Sequence, residues 1–170
     1  YKRQFSLCAA AAVLAAVVWA NVSHASFSAA GYDARALGRL CGLLAGTLFL
    51  VQFVLSSRMK WLDRAWGLDR LLALHAAAGA VAFALAALHP FMVGTEGRLG
   101  AQAVGVTIGA AALALAGAVV VTSMGRGFLE IPYHIWRSLH LATFVLVAMV
   151  AVHSGLLARG VREGGFATFW

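Results

Sequence analysis

Charge is scarce in this sequence, and acidic charge scarcest: thirteen Lys and Arg stand against six Asp and Glu in 170 residues. With charged residues at 11% and hydrophobic ones at 62%, an ordinary soluble domain is excluded, since one of this size could not hide so much apolar surface. None of Asp33, Asp63, Asp69, Glu96, Glu130 or Glu163 falls in the middle of an apolar run. That removes the buried carboxylates expected of a proton or metal transporter. The two cysteines, Cys8 and Cys41, both lie in apolar runs and form no C-x-x-C, so a disulfide framework is excluded and small packing residues are expected. No G-x-G-x-x-G fingerprint, low-complexity linker or second domain is present.

What is there is hydrocarbon in long stretches. Five runs are each long enough to cross the ~30 Å core of a bilayer as a helix: Phe5–Asn21, Leu37–Ser56, Leu71–Val93, Ala101–Ser123 and Ile135–Ala158. A sixth begins at Phe166. Short connections predict an antiparallel all-α transmembrane bundle occupying residues 1–170 as one domain. The first run, with its basic start and "SHAS" tail, also fits a secretory signal; the membrane-span reading is the one carried forward. The chain opens on Tyr1 and closes on "FATFW", so a fragment at both ends is expected.

The net charge of +7 sits in the loops, where it reads as membrane topology and not as a nucleic-acid footprint. With the N-terminus inside, the inner segments hold Lys2, Arg3, Arg58, Lys60, Arg64, Arg70, Arg126 and Arg137; the outer ones hold Arg35, Arg39, Arg98, Arg159 and Arg162. The bias favours a cytoplasmic N-terminus. Trp19, Trp61, Trp66, Tyr133 and Trp136 fall near span ends, as interfacial aromatics do. Gly38, Gly42 and Gly46 on the second span, and Gly105 and Gly109 on the fourth, repeat at four residues and predict close helix packing. A planar cofactor against a helix would also want glycine, and Gly79 lies one turn past His75.

Four of the six histidines stand inside apolar runs: His75 and His89 in "LLALHAAAGAVAFALAALHPFMV", His140 and His153 in the fifth span. Intramembrane ionisable groups are costly and mark function. At 1.5 Å per residue, His75 and His89 are roughly 21 Å apart along the helix and His140 and His153 roughly 20 Å. Two matched ladders place His75 level with His140 and His89 level with His153. A zinc site would want further ligands of other types. Haem iron needs only two axial imidazoles and an apolar surround, so two stacked bis-histidine haems are expected. Fourteen residues return a straight helix to within about 40° of one face, but thirteen leave it about 140° away, so the fifth span must bend or present its two histidines at different azimuths. Pro90 removes a backbone bond to Ala86 and should kink the outer end. His24 and His134 read as loop histidines.

At these residues a resemblance becomes specific. "VQFVLSSRMKWLDRAWGLDRLLALHAAAG", the following "LHP" and "WRSLHLATFVLVAMVAVH" resemble the ferric reductase-like transmembrane domain of NADPH oxidases, ferric-chelate reductases and bacterial relatives. The resemblance covers about residues 37 to 158. It implies an integral protein of the bacterial cytoplasmic membrane, partnered with or fused to a cytosolic ferredoxin-reductase-like module carrying FAD and NAD(P)H. It implies two b-type haems, the inner ligated by His75 and His140 and the outer by His89 and His153, passing electrons to a small acceptor outside: oxygen, giving superoxide, or a ferric chelate. Arg70 and Arg137, at the inner ends of the haem-bearing helices, become candidates for propionate contacts. Phe83, Phe144 and Leu146, between the two levels, become candidates for the electron path. Some oxidases of the family carry a polar residue one turn beyond the outer third-span histidine; here that position is Val93. A quinol-linked cytochrome b subunit is the second reading, its quinone to be held by some of the few polar groups within the spans, Thr47, Gln52, Thr107 and Thr143.

Overall fold

The computed structural model of the chain describes residues 34–94 and 100–162. These residues form helices and short connections, with no strand among them. The helices are α1 (Ala34–Ser56), α2 (Lys60–Trp66), α3 (Leu68–Val93), α4 (Ala101–Met124), α5 (Tyr133–Leu141) and α6 (Thr143–Arg162). Four stretches among them are long and apolar enough to cross a membrane: Leu37–Ser56, Leu68–Val93, Gln102–Met124 and Tyr133–Leu157. They coincide with the second to fifth expected spans to within a few residues. The expected first span, Phe5–Asn21, and the helix expected from Phe166 lie outside the described residues.

Hydrocarbon solvent explains the helices, because a backbone in lipid must bond within its own segment. Even the hydroxyls obey this rule. Thr47 donates to the Leu43 carbonyl, Thr107 to Ala103 and Thr122 to Ala118, each one turn back. Glycine sets two of the limits: Gly67 (φ 78°) precedes α3 and Gly94 (φ 69°) closes it, in a region that side chains disfavour. Pro90 does not end α3, which continues to Val93 before the Gly94 N–H returns to the Pro90 carbonyl at 3.0 Å.

The chain divides into two compact units at Gly94 and Thr95. In the first, α1 and α3 run antiparallel. Gly38 at the start of α1 lies against Met92 and Val93 at the end of α3, and Gln52 near the end of α1 lies against Gly79 in the first half of α3. In the second, Gly105 near the start of α4 lies against Leu156 and Leu157 late in α6. The side chains that are buried are mostly small: Ala45, Leu62, Leu71 and Ala82 in one unit, Ala112, Ala116, Val119 and Leu146 in the other. Large apolar groups such as Leu50, Val81, Leu88 and Phe91 point outward, as suits helices solvated by lipid. In the connection before α3, the seven-residue α2 buries Leu62 and leaves Trp61 and Trp66 exposed. Arg58 reaches Asp63 there at 3.7 Å.

The fifth span is two helices. Its break is at Ala142, whose N–H bonds to the Leu139 carbonyl at 3.1 Å in a tight three-residue turn. Thr143 Oγ1 donates to the His140 carbonyl at 2.8 Å. A break, one of the two expectations for the thirteen-residue interval, therefore falls between His140 and His153. Tighter winding adds about 20° per residue and turns His153 toward the face of His140.

A Cβ on Gly38 would stand 2.7 Å from Met92 Cβ and from Val93 Cγ2, and 3.0 Å from a backbone nitrogen. Gly38→Ala should therefore destabilise the α1–α3 pair by about 1–3 kcal/mol in a thermal or denaturant assay in detergent. Gly79→Ala meets nothing closer than 3.8 Å and should be neutral or stabilising.

Candidate haem-ligand site

Each intramembrane histidine has its Nδ1 held by a group on a neighbouring helix of its own unit. In the first unit, His89 Nδ1 lies 2.7 Å from the Gly38 carbonyl. In the second, His153 Nδ1 lies 2.8 Å from the Gly105 carbonyl. A carbonyl has no proton to give, so Nδ1 donates in both cases. The remaining lone pair is then on Nε2, the tautomer that ligates metal with its orientation fixed from behind.

Room for these rings comes from the second glycine of each G-x-x-x-G stretch. A Cβ on Gly42 would stand 2.8 Å from His89 Nδ1 and 3.0 Å from Cε1. A Cβ on Gly109 would collide with the same two atoms of His153. "GRLCG" (38–42) and "GVTIG" (105–109) thus do the same two things. The first glycine offers its carbonyl and the second makes space for the imidazole. The close packing expected of these glycines is observed, and the histidine is part of what packs.

His75 and His140 are held by side chains. With the Gln52 amide oriented to match its neighbours, its NH2 donates to His75 Nδ1 at 2.7 Å and to the His75 carbonyl at 3.0 Å, and its oxygen accepts from the Gly79 N–H at 2.9 Å. His140 Nδ1 lies 3.3 Å from Ser123 Oγ. Trp136 Nε1 donates to the same hydroxyl at 3.3 Å and its ring stacks on His140, with centroids 5.1 Å apart and planes 27° apart. The Arg126 guanidinium lies 5.1 Å from the Trp136 ring centroid and 5.4 Å from that of Tyr133. Arg126, Trp136 and His140 therefore make a contiguous stack.

The remaining candidates are spread more widely. Arg70, in the first turn of α3, and Arg137, on α5, are exposed. Phe83 is half-buried, Phe144 is 61% exposed and Leu146 only 3% exposed, so Leu146 is a packing residue of its unit. His134 is exposed on α5, while His24 lies outside the described residues. Thr47 and Thr107 bond to their own helix backbones, Thr143 bonds to the His140 carbonyl across the break between α5 and α6, and the Gln52 amide is engaged with His75 and Gly79. Reading the sequence overlooked Ser123 and Trp136 as partners of His140. Ser123 closes a span, and Trp136 has a position that also suits an interfacial anchor. Among the described residues no three His, Cys, Asp or Glu side chains gather as a metal cluster. The donor set is instead single imidazoles in apolar surroundings, each held at Nδ1, with His89 and His153 each cradled by a glycine. That fits a haem, whose porphyrin already supplies four nitrogens.

The apolar helices and the histidines they carry define a class: an integral membrane protein with imidazoles set at two depths. The family model for the ferric reductase like transmembrane component matches residues 41–151. The chain belongs to that family, which ties it to transmembrane electron transfer and an oxidoreductase-type role. Comparison with curated proteins gives no match, and neither does comparison with solved structures.

Gly42→Ala should displace His89 from the Gly38 carbonyl, and Gly109→Ala His153 from the Gly105 carbonyl. If these imidazoles hold haem, its affinity should fall roughly 10- to 100-fold, the usual effect of losing a ligand's supporting partner, as read by haem retention through purification.

Proposed function

We propose that the chain is the membrane half of an NAD(P)H-dependent reductase or oxidase. It moves electrons from a cytosolic flavin module, through two b-type haems, to an acceptor outside. His75 and His140 would hold the inner haem, and His89 and His153 the outer. Each haem would supply a one-electron iron couple there. The observation that carries this reading is the pair of carbonyl anchors: His89 on Gly38 and His153 on Gly105, in separate units, each fixing the tautomer that leaves a lone pair on Nε2.

The chain's own residues hold and orient. Gly42 and Gly109 let the outer rings lie against the helices that anchor them. Ser123 and Trp136 fix the plane of His140 from one side. Arg70 and Arg137, with Arg126 behind Trp136, supply cationic partners for carboxylate groups near the inner level. The apolar faces keep water from the path.

Two features bear on the acceptor and the donor. Val93, at the position where some oxidases of the family are polar, is packed against Gly38, which supports transfer to a diffusing acceptor over a tuned oxygen site. The bonding of Thr47, Thr107, Thr143 and Gln52 within their own units weighs against the quinol-linked reading, which needs spare polar groups.

A dithionite-reduced minus oxidised spectrum with a haemochrome count should show two b haems per chain. His75→Ala and His89→Ala should each retain one. A colourless protein, or one haem unaffected by either change, would overturn the reading. Reduction by quinol, with none by NADPH and a flavoprotein, would favour the cytochrome b subunit.

A further inference from the structure

The anchors of the four histidines differ in kind. Backbone carbonyls hold His89 and His153, and a carbonyl only accepts. A primary amide holds His75, and an amide has one donor side and one acceptor side. All three Gln52 contacts are matched together only when NH2 faces His75 and oxygen faces the Gly79 N–H. In that arrangement Nδ1 accepts, so the ring proton of neutral His75 is on Nε2. Nε2 then has no lone pair for iron. Turning the amide over lets Nδ1–H donate to the Gln52 oxygen and returns the lone pair to Nε2. The oxygen then faces the His75 carbonyl, and NH2 faces the Gly79 N–H. The two ends of an amide have nearly the same shape, and a Cβ on Gly79 would still clear the Gln52 amide by 3.8 Å, so the turn needs no movement of either helix.

We infer that Gln52 is a positioning residue for His75, and that its amide turns over when His75 becomes an axial ligand. Ligation at this level then carries a rearrangement in α1 that neither His89 nor His153 requires. The inference rests on the haem assignment above. It makes the His75 haem the more easily lost of the two. It also makes that haem's potential sensitive to a residue that never touches iron, because donation of Nδ1–H to the Gln52 oxygen raises the basicity of the ligand.

The test is a potentiometric titration of the full chain, reading both haems, with Gln52→Leu and Gln52→Glu beside wild type. Gln52→Leu removes the acceptor; one haem should move to higher potential and dissociate roughly 10-fold faster. Gln52→Glu has an acceptor on both oxygens and no amide to turn; the same haem should move to lower potential. The other haem should stay in place in both variants. Two haems with no shift, or with shifts of one sign in both variants, would overturn the inference and leave the haem assignment standing. So would loss of the haem from Gln52→Glu while Gln52→Leu keeps it. A wild type without haem would overturn both.

Discussion

An imidazole inside a bilayer needs a partner for its polar nitrogens, and this protein supplies one to Nδ1 from the adjacent helix. That requirement constrains most of the rest. A backbone carbonyl one helix away can reach Nδ1 at 2.7 or 2.8 Å only if the two backbones approach closely. Close approach demands small residues at the interface, and alanine makes up half of the buried positions of each unit, with glycine beneath the rings of His89 and His153. Small interfaces in turn leave the large apolar side chains facing lipid. Imidazole chemistry and helix packing are thus one arrangement viewed from two sides.

The two units meet the requirement in parallel. Each has a leading helix with G-x-x-x-G near its start and a polar side chain near its end. Each has a returning segment with two histidines a little over a dozen residues apart. Near the start of the leading helix the anchor is backbone; near its end it is Gln52 in one unit and Ser123 in the other. Backbone anchors are rigid in direction, whereas hydroxyls and amides rotate. The firmly set imidazoles are therefore His89 and His153, and the adjustable ones are His75 and His140.

Much of this was legible in the sequence because lipid enforces simple rules. Long apolar runs gave the four described spans, with α1 and α3 extending only a turn further at their starts. The thirteen-residue interval called for a bend or for histidines at different azimuths, and a break lies at Ala142. The glycine stripes were recognised as packing signals. Their role toward histidine was not, because the acceptors are backbone carbonyls, which carry no sequence signature. Gln52 was visible as a rare polar residue in an apolar span, but periodicity does not say which helix it faces. Trp136 was masked by a second explanation, interfacial anchoring, that its position satisfied equally well.

Because each pair of helices aims its own histidines, the division at Gly94 and Thr95 separates two pieces that are individually prepared. Every anchor identified for a histidine lies on the same side of that division as the histidine itself. A break in the polypeptide there would sever no imidazole from the group that orients it, so each fragment would carry its own histidines already aimed.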